Sequence, residues 1–228
     1  MSKTIGVIGG MGPAATVDFF AKLLEATPAE RDQDHLRVLI DSNPRVPDRN
    51  AAIAGRGPSP GPQLAEAARG LERAGADVLV IACNTAHAFA DEIQGAVKIP
   101  LLSMIDATAD AAMQNKPWRV GVLAADGCRR AGLYQRAFEA RNVEALFLTD
   151  DAQQEFMQLL YRIKAGDVGD ATQRAMERLA ISLNARGAQA VIAACTEVPL
   201  VLNADALATP VISSTDALVA RVVAFARD

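Results

Sequence analysis

Two cysteines, Cys83 and Cys195, occupy matching places in this chain of 228 residues. Cys83 closes the run Gly75-Ala76-Asp77-Val78-Leu79-Val80-Ile81-Ala82, and Cys195 closes Gly187-Ala188-Gln189-Ala190-Val191-Ile192-Ala193-Ala194. A thiolate is a base and nucleophile, and the neutral thiol is its conjugate acid. Two such groups, one from each half of a duplicated chain, can face a bound molecule from opposite sides. That arrangement suits inversion of a carbon centre, with the proton removed from one face and replaced on the other. Asn84 and Thr85 follow the first thiol, and Thr196 and Glu197 follow the second. Each thiol is therefore expected among backbone amides at a helix start, which lower a thiol pKa.

The elements that carry these thiols are continuous apolar runs, the pattern of strands buried on both faces of a parallel sheet. Open α/β sheets bind ligands at the C-terminal ends of such strands. Strand-like runs recur at 4–9, 36–41, 77–82, 101–104, 119–124, 145–149, 190–194 and 211–213, separated by helix-length segments. This alternation predicts right-handed βαβ crossovers and mainly parallel sheets. Between 153 and 186 two helices are expected, broken at Ala165-Gly166-Asp167-Val168-Gly169. The halves echo one another beyond the cysteines. Ile5-Gly6-Val7-Ile8-Gly9-Gly10 resembles Val120-Gly121-Val122-Leu123-Ala124-Ala125, and the segment from Pro100 to Ala107 resembles that from Pro210 to Ala217. The offsets, 115 (Gly6 to Gly121), 112 (Cys83 to Cys195) and 110 (Pro100 to Pro210), are nearly constant. The fold class expected is α/β, with two similar lobes, each a mainly parallel sheet flanked by helices, and an active site in the cleft between them.

Half of the residues are apolar, enough for a substantial core. A net charge of -4 with mixed signs and no basic run argues against nucleic acid and anionic membrane as partners. The N-terminal segment lacks the length and flanks of a signal peptide or spanning helix, so a cytoplasmic location is expected. Three cysteines without a CxxC spacing argue against a disulfide framework and structural zinc. Two histidines without an HxxxH or HExxH pattern argue against a catalytic metal.

Gly9-Gly10-Met11-Gly12-Pro13 follows the first strand and opens a helix whose exposed amides attract carboxylate or phosphate. Gly10-Met11-Gly12-Pro13-Ala14-Ala15 fits the dinucleotide fingerprint GxGxxA, with Asp41 as the ribose-binding acid. Gly10 and Asp41 are 31 residues apart, against a usual spacing of about 20. In the stiff loop from Ser42 to Asn50, Arg45 or Arg49 is placed to grip a carboxylate, or both are solvated beside Asp48. His87, one helical turn beyond Cys83, either tunes that thiol or packs the helix. Cys128 has no counterpart in the repeat and reads as non-catalytic.

Taken together, Gly9-Gly10-Met11-Gly12-Pro13, Pro47-Asp48-Arg49, Cys83-Asn84-Thr85-Ala86-His87 and Cys195-Thr196-Glu197 resemble the signature segments of the aspartate/glutamate racemase family, aspartate racemases more than glutamate racemases. Glutamate racemases typically carry histidine where this chain has Glu197. The resemblance covers nearly the whole chain. It implies a cofactor-independent isomerase acting on a small amino acid with carboxylates, commonly as a homodimer. Cys83 and Cys195 would be catalytic, and Met11, Arg49, Asn84, Thr85, Lys164 and Thr196 would bind substrate. Asp48, His87 and Glu197 would support them. The family also implies that the last strand and helix return to the first lobe, giving lobes of residues 1–99 plus 211–228 and 100–210. One departure stands out: where the family often shows Gly-Thr-x-x-Thr-x-x-Ser, this chain has Ala124-Ala125-Asp126-Gly127-Cys128-Arg129-Arg130-Ala131 and lacks three hydroxyls. Rival readings are a related one-cysteine decarboxylase or cis-trans isomerase, and a non-catalytic sensor of small acids or nucleotides.

Overall fold

The computed structural model describes residues 3–227, so Met1, Ser2 and Asp228 of the expected first lobe lie outside the described residues. The elements run β1 (Ile5–Gly9), α1 (Pro13–Ala26), β2 (Val38–Ser42), α2 (Arg49–Ile53), α3 (Gly61–Arg73), β3 (Val78–Ile81), α4 (Ala90–Gln94), β4 (Leu101–Leu102) and α5 (Met104–Ala112). The second half repeats the scheme with β5 (Arg119–Ala124), α6 (Asp126–Arg130), α7 (Leu133–Glu139), β6 (Glu144–Phe147), α8 (Asp150–Lys164), α9 (Asp170–Ala185), β7 (Val191–Ala194), β8 (Val211–Ser213) and α10 (Ser214–Arg227).

Two four-stranded sheets result, ordered β2-β1-β3-β4 and β6-β5-β7-β8, with every pairing parallel. The repeat extends to the backbone. Gly75 and Gly187, at the turns into β3 and β7, take positive φ values of 94° and 90°, a conformation that glycine adopts without a Cβ clash. The alanine after each lies where a Cβ on Gly6 or Gly121 would sit 2.9 or 3.2 Å away, so helix, turn and strand pack closely in both lobes.

Alternate strand residues point to opposite faces, and each sheet is covered on both. In the first, Ile8, Leu79 and Ile81 meet Leu64, Ala68 and Leu71 of α3, while Ile5, Val7, Val78 and Val80 meet Phe19 and Leu23 of α1 and Leu218 and Val222 of α10. In the second, Leu123, Val191 and Ala193 meet α8 and α9, while Val120, Val122 and Ile192 meet α5 and α7. Helices α5 and α10 thus change sides, each following a strand of one sheet and packing on the other.

This corrects the expected lobe boundaries by one strand at each crossing. Leu79 and Val80 pair with Leu101 and Leu102, so β4 belongs to the first sheet. Val191, Ile192 and Ala193 pair with Val211, Ile212 and Ser213, so β8 stays in the second sheet and does not return with α10. Each short strand satisfies its backbone groups on the free edge of its neighbour before the chain crosses over. Among the described residues no helix is long and apolar enough to cross a membrane.

Candidate active site

The C-terminal ends of β1, β3, β5 and β7 converge on a narrow cavity of ≈ 60 Å³ between the lobes. Every residue given a site role by the family resemblance except His87 lines it: Met11, Asp48, Arg49, Asn84 and Thr85 with Cys83 from the first lobe, and Lys164, Thr196 and Glu197 with Cys195 from the second; Arg45, the other arginine considered for a carboxylate, does not. Both thiols are free and buried, with 6% and 8% exposure.

Cys195 donates a hydrogen bond to Glu197 Oε2 at 3.0 Å, and Thr196 Oγ1 reaches the same oxygen at 3.3 Å. The other carboxylate oxygen pairs with the Lys164 ammonium and accepts from the Gly12 amide at 3.3 Å. Burial, then the Glu197 carboxylate, push the Cys195 thiol well above its ordinary pKa. This overturns the expectation that neighbouring amides lower it: the amide contribution is present but is outweighed. The Lys164 ammonium meets a desolvation cost, and Glu197 more than offsets it, so its pKa is raised and its charge secured. The resting site therefore holds a neutral thiol beside an ion pair.

Arg49 begins α2 because Asp48 caps that helix, its Oδ1 accepting from the Ala51 amide at 2.7 Å. The guanidinium is fixed by backbone oxygens: Nη1 donates to Val46 and Pro47, and Nη2 donates to Met11 at 3.1 Å. Its Nε is buried without a partner, an unsatisfied donor beside the cavity. The Met11 carbonyl also accepts from Lys164 at 3.4 Å, so one peptide oxygen steadies both cations. Next to Arg49, Asn50 Oδ1 accepts from the Gly127 amide at 2.8 Å and joins α2 to α6 of the opposite lobe.

His87 stands apart from this chemistry. Its Nε2 accepts from the Met104 amide at 3.0 Å, so Nδ1 carries the proton and donates to the Cys83 carbonyl at 2.9 Å. Burial lowers its pKa and keeps it neutral. Of the two roles open to it, the structure selects packing: the ring ties the turn after Cys83 to α5. Beyond it lies a wider groove of ≈ 450 Å³ that neither Cys83 nor Cys195 lines. Cys128 is 1% exposed and its thiol is pushed far up by burial, as suits an inert core residue.

Sequence reasoning passed over Asn50, Met157, Leu160 and Tyr161, which also line the cavity. Asn50 adjoins Arg49, and the other three lie seven, four and three residues before Lys164 on one face of α8, a helical spacing that could have named them. The dinucleotide reading fails at the start of α1, where a phosphate would sit. There the Glu197 carboxylate of the other lobe already takes the Gly12 amide, and its negative charge opposes an anion. Among the described residues no group of three or more His, Cys, Asp or Glu side chains is placed to hold a metal ion.

A family model described as Asp/Glu/Hydantoin racemase matches residues 8–222. The structure of Picrophilus torridus aspartate racemase superposes with a TM-score of 0.88 at 32% identity, covering 99% of this chain and 94% of that one. The broad specificity amino-acid racemase RacX of Bacillus subtilis is 27% identical over 224 residues, 94% of each chain. A glutamate racemase of Pseudomonas paraeruginosa is 35% identical over 134 residues, 58% of this chain and 49% of that one.

Proposed function

We propose that this chain, which belongs to the Asp/Glu/hydantoin racemase family, is a cofactor-independent amino-acid racemase that uses Cys83 and Cys195 as acid and base on opposite faces of the α-carbon. The observation that carries the reading is the pair of buried thiols, brought by equivalent strands of two lobes to one cavity.

For one enantiomer Cys83, as thiolate, is the base. It removes the α-proton from one face, and the Cys195 thiol delivers a proton to the other. The opposite enantiomer uses the two thiols in exchanged roles. Acid-base help of this kind supplies roughly 10²–10⁴ in rate. That falls short for a carbon acid beside a carboxylate, so much of the remainder must come from fixed donors where charge builds up. Asn84, Thr85 and Thr196 with neighbouring amides are the donors proposed for the α-carboxylate. Arg49 and Lys164 are proposed to orient a second, side-chain carboxylate, a role that the unpartnered Nε–H of Arg49 supports. A homodimer and a cytoplasmic location belong to the same reading.

The substrate proposed is aspartate, with glutamate next. A second reading, turnover of neutral amino acids, is favoured by one observation: the Lys164 charge is already compensated by Glu197, so this cation has no need of a substrate side-chain carboxylate. Incubating the metal-free protein without cofactor with L-aspartate, L-glutamate and L-alanine, followed by chiral separation, separates the cases. D-aspartate as main product supports the first reading and comparable D-alanine the second. No D-product from any of the three counts against both.

A further inference from the structure

A string of buried hydrogen bonds runs between the lobes behind the cavity, and no step described so far uses it. Tyr134, on α7 and fully buried, donates its hydroxyl to Asn84 Oδ1 at 2.6 Å. Asn84 Nδ2 donates to Ser214 Oγ at 2.9 Å, and Ser214 Oγ donates to the Ala193 carbonyl at 2.9 Å. The string thus passes through the residue after Cys83 and ends two residues before Cys195. Tyr134 does not line the cavity, whereas Asn84 does.

The direction of these bonds is set from both ends. A carbonyl only accepts, so Ser214 spends its proton on Ala193 and can only accept from Asn84. At the other end, burial holds the Tyr134 phenol protonated, far above its ordinary pKa. Its proton needs an acceptor, and Asn84 Oδ1 is that acceptor. Rotating the amide by half a turn would take from the Tyr134 proton the acceptor it uses here and remove the Ser214 bond to Ala193. The Asn84 amide is therefore locked as acceptor toward Tyr134 and donor toward Ser214, with one N–H still uncommitted.

We propose that Tyr134 is a positioning residue for racemisation. Through the locked amide it presents the second N–H of Asn84 to the carboxylate of the bound amino acid, where negative charge grows as the α-proton leaves. The inference rests on the racemase reading and deepens it. A donor held in place before the reaction needs no reorganisation during it, and such donors act mainly on the transition state. Ser214 performs the matching task from the other side.

The test compares wild type, Tyr134→Phe, Ser214→Ala, Asn84→Ala and the double variant Tyr134→Phe with Asn84→Ala, all as full chains. Initial rates of aspartate racemisation are followed in both directions beside thermal unfolding. Tyr134→Phe keeps the ring and its packing on Phe138 while freeing the amide. Its kcat is expected to fall roughly 10- to 100-fold in both directions with KM changed less than about threefold, since the lost interaction belongs to the transition state. Ser214→Ala should share this pattern. In the Asn84→Ala background the tyrosine change should cost no further kcat, because the group it orients is gone. An active wild type beside a Tyr134→Phe variant that loses stability but keeps kcat overturns the positioning role alone, as does full additivity in the double variant. A wild type unable to racemise overturns the functional reading and this inference with it.

Discussion

Replacing Glu197 by Gln probes the ion pair and the thiol together, because the isosteric amide keeps the shape and removes the charge. The Glu197 side chain is 4% exposed and that of Lys164 30%. Breaking a fully buried pair from one side costs about 3–5 kcal/mol; with the ammonium partly in water, roughly 2–3 kcal/mol is expected here. For a chain of this size that is a fall in Tm of about 4–12 °C. Removing Lys164 as well, as Glu197→Gln with Lys164→Met, should recover most of the loss, since no charge is then left uncompensated. The second effect is on Cys195. Its thiol donates to the carboxylate, and a hydrogen bond to a charged acceptor is worth roughly 1.5–3 kcal/mol. Without that negative charge the protonated form loses much of this support while the Lys164 ammonium still favours the thiolate. The Cys195 titration should move down. Calorimetry reads the first effect, and pH dependence of Cys195 alkylation in a Cys83→Ala background reads the second. A variant as stable as wild type, with an unmoved alkylation profile, refutes the account of Glu197.

Cys83→Ala and Cys195→Ala should each abolish interconversion of enantiomers, and retained racemisation in either variant sinks the two-thiol mechanism. Each single variant should still exchange the α-proton of the one enantiomer that its remaining thiol faces, read by proton NMR in deuterated water. His87 predicts a pH dependence of stability. Its folded pKa is depressed by burial from an ordinary value of 6.5, so below that pH the unfolded chain binds a proton that the folded chain refuses. Stability from this group is complete above pH 6.5 and is lost as pH falls, by up to about 1.4 kcal/mol per pH unit. Urea titrations between pH 7 and 5 should show this slope and His87→Gln should flatten it; an unchanged slope would remove His87 as its source.

The repeat was legible because it rests on local chemistry. Buried parallel strands must be continuously apolar, and the turns into β3 and β7 need glycine at positive φ, so Gly75 and Gly187 mark the same place twice. All eight strands lie at or beside the runs read for them. The crossing points were not legible, because Leu101–Leu102 and Val211–Ser213 are too short to announce which edge they join. The site divides in the same way. Cys83 and Cys195 are conspicuous by type and repetition, whereas Lys164 alone reads as a solvated helix end and only the family resemblance drew attention to it. Its partner Glu197 lies 33 residues away on the far side of α9, and no spacing rule connects them. Tyr134 lies on the buried face of the short amphipathic helix Leu133–Glu139, beside Leu133, Ala137 and Phe138, and nothing in the sequence sets it apart from core; its hydroxyl matters only once folding brings Asn84 to it.

The central claim, that two thiols work on opposite faces, is tested most directly by isotope placement in early turnover. L-aspartate is incubated with the protein in deuterated water, the enantiomers are separated at under about a tenth of equilibrium conversion, and each is weighed by mass spectrometry. With separate acid and base, D-aspartate should carry α-deuterium from its first appearance while the remaining L-aspartate stays largely protiated. D-aspartate that retains the original proton would show a single group working on both faces and would contradict the account.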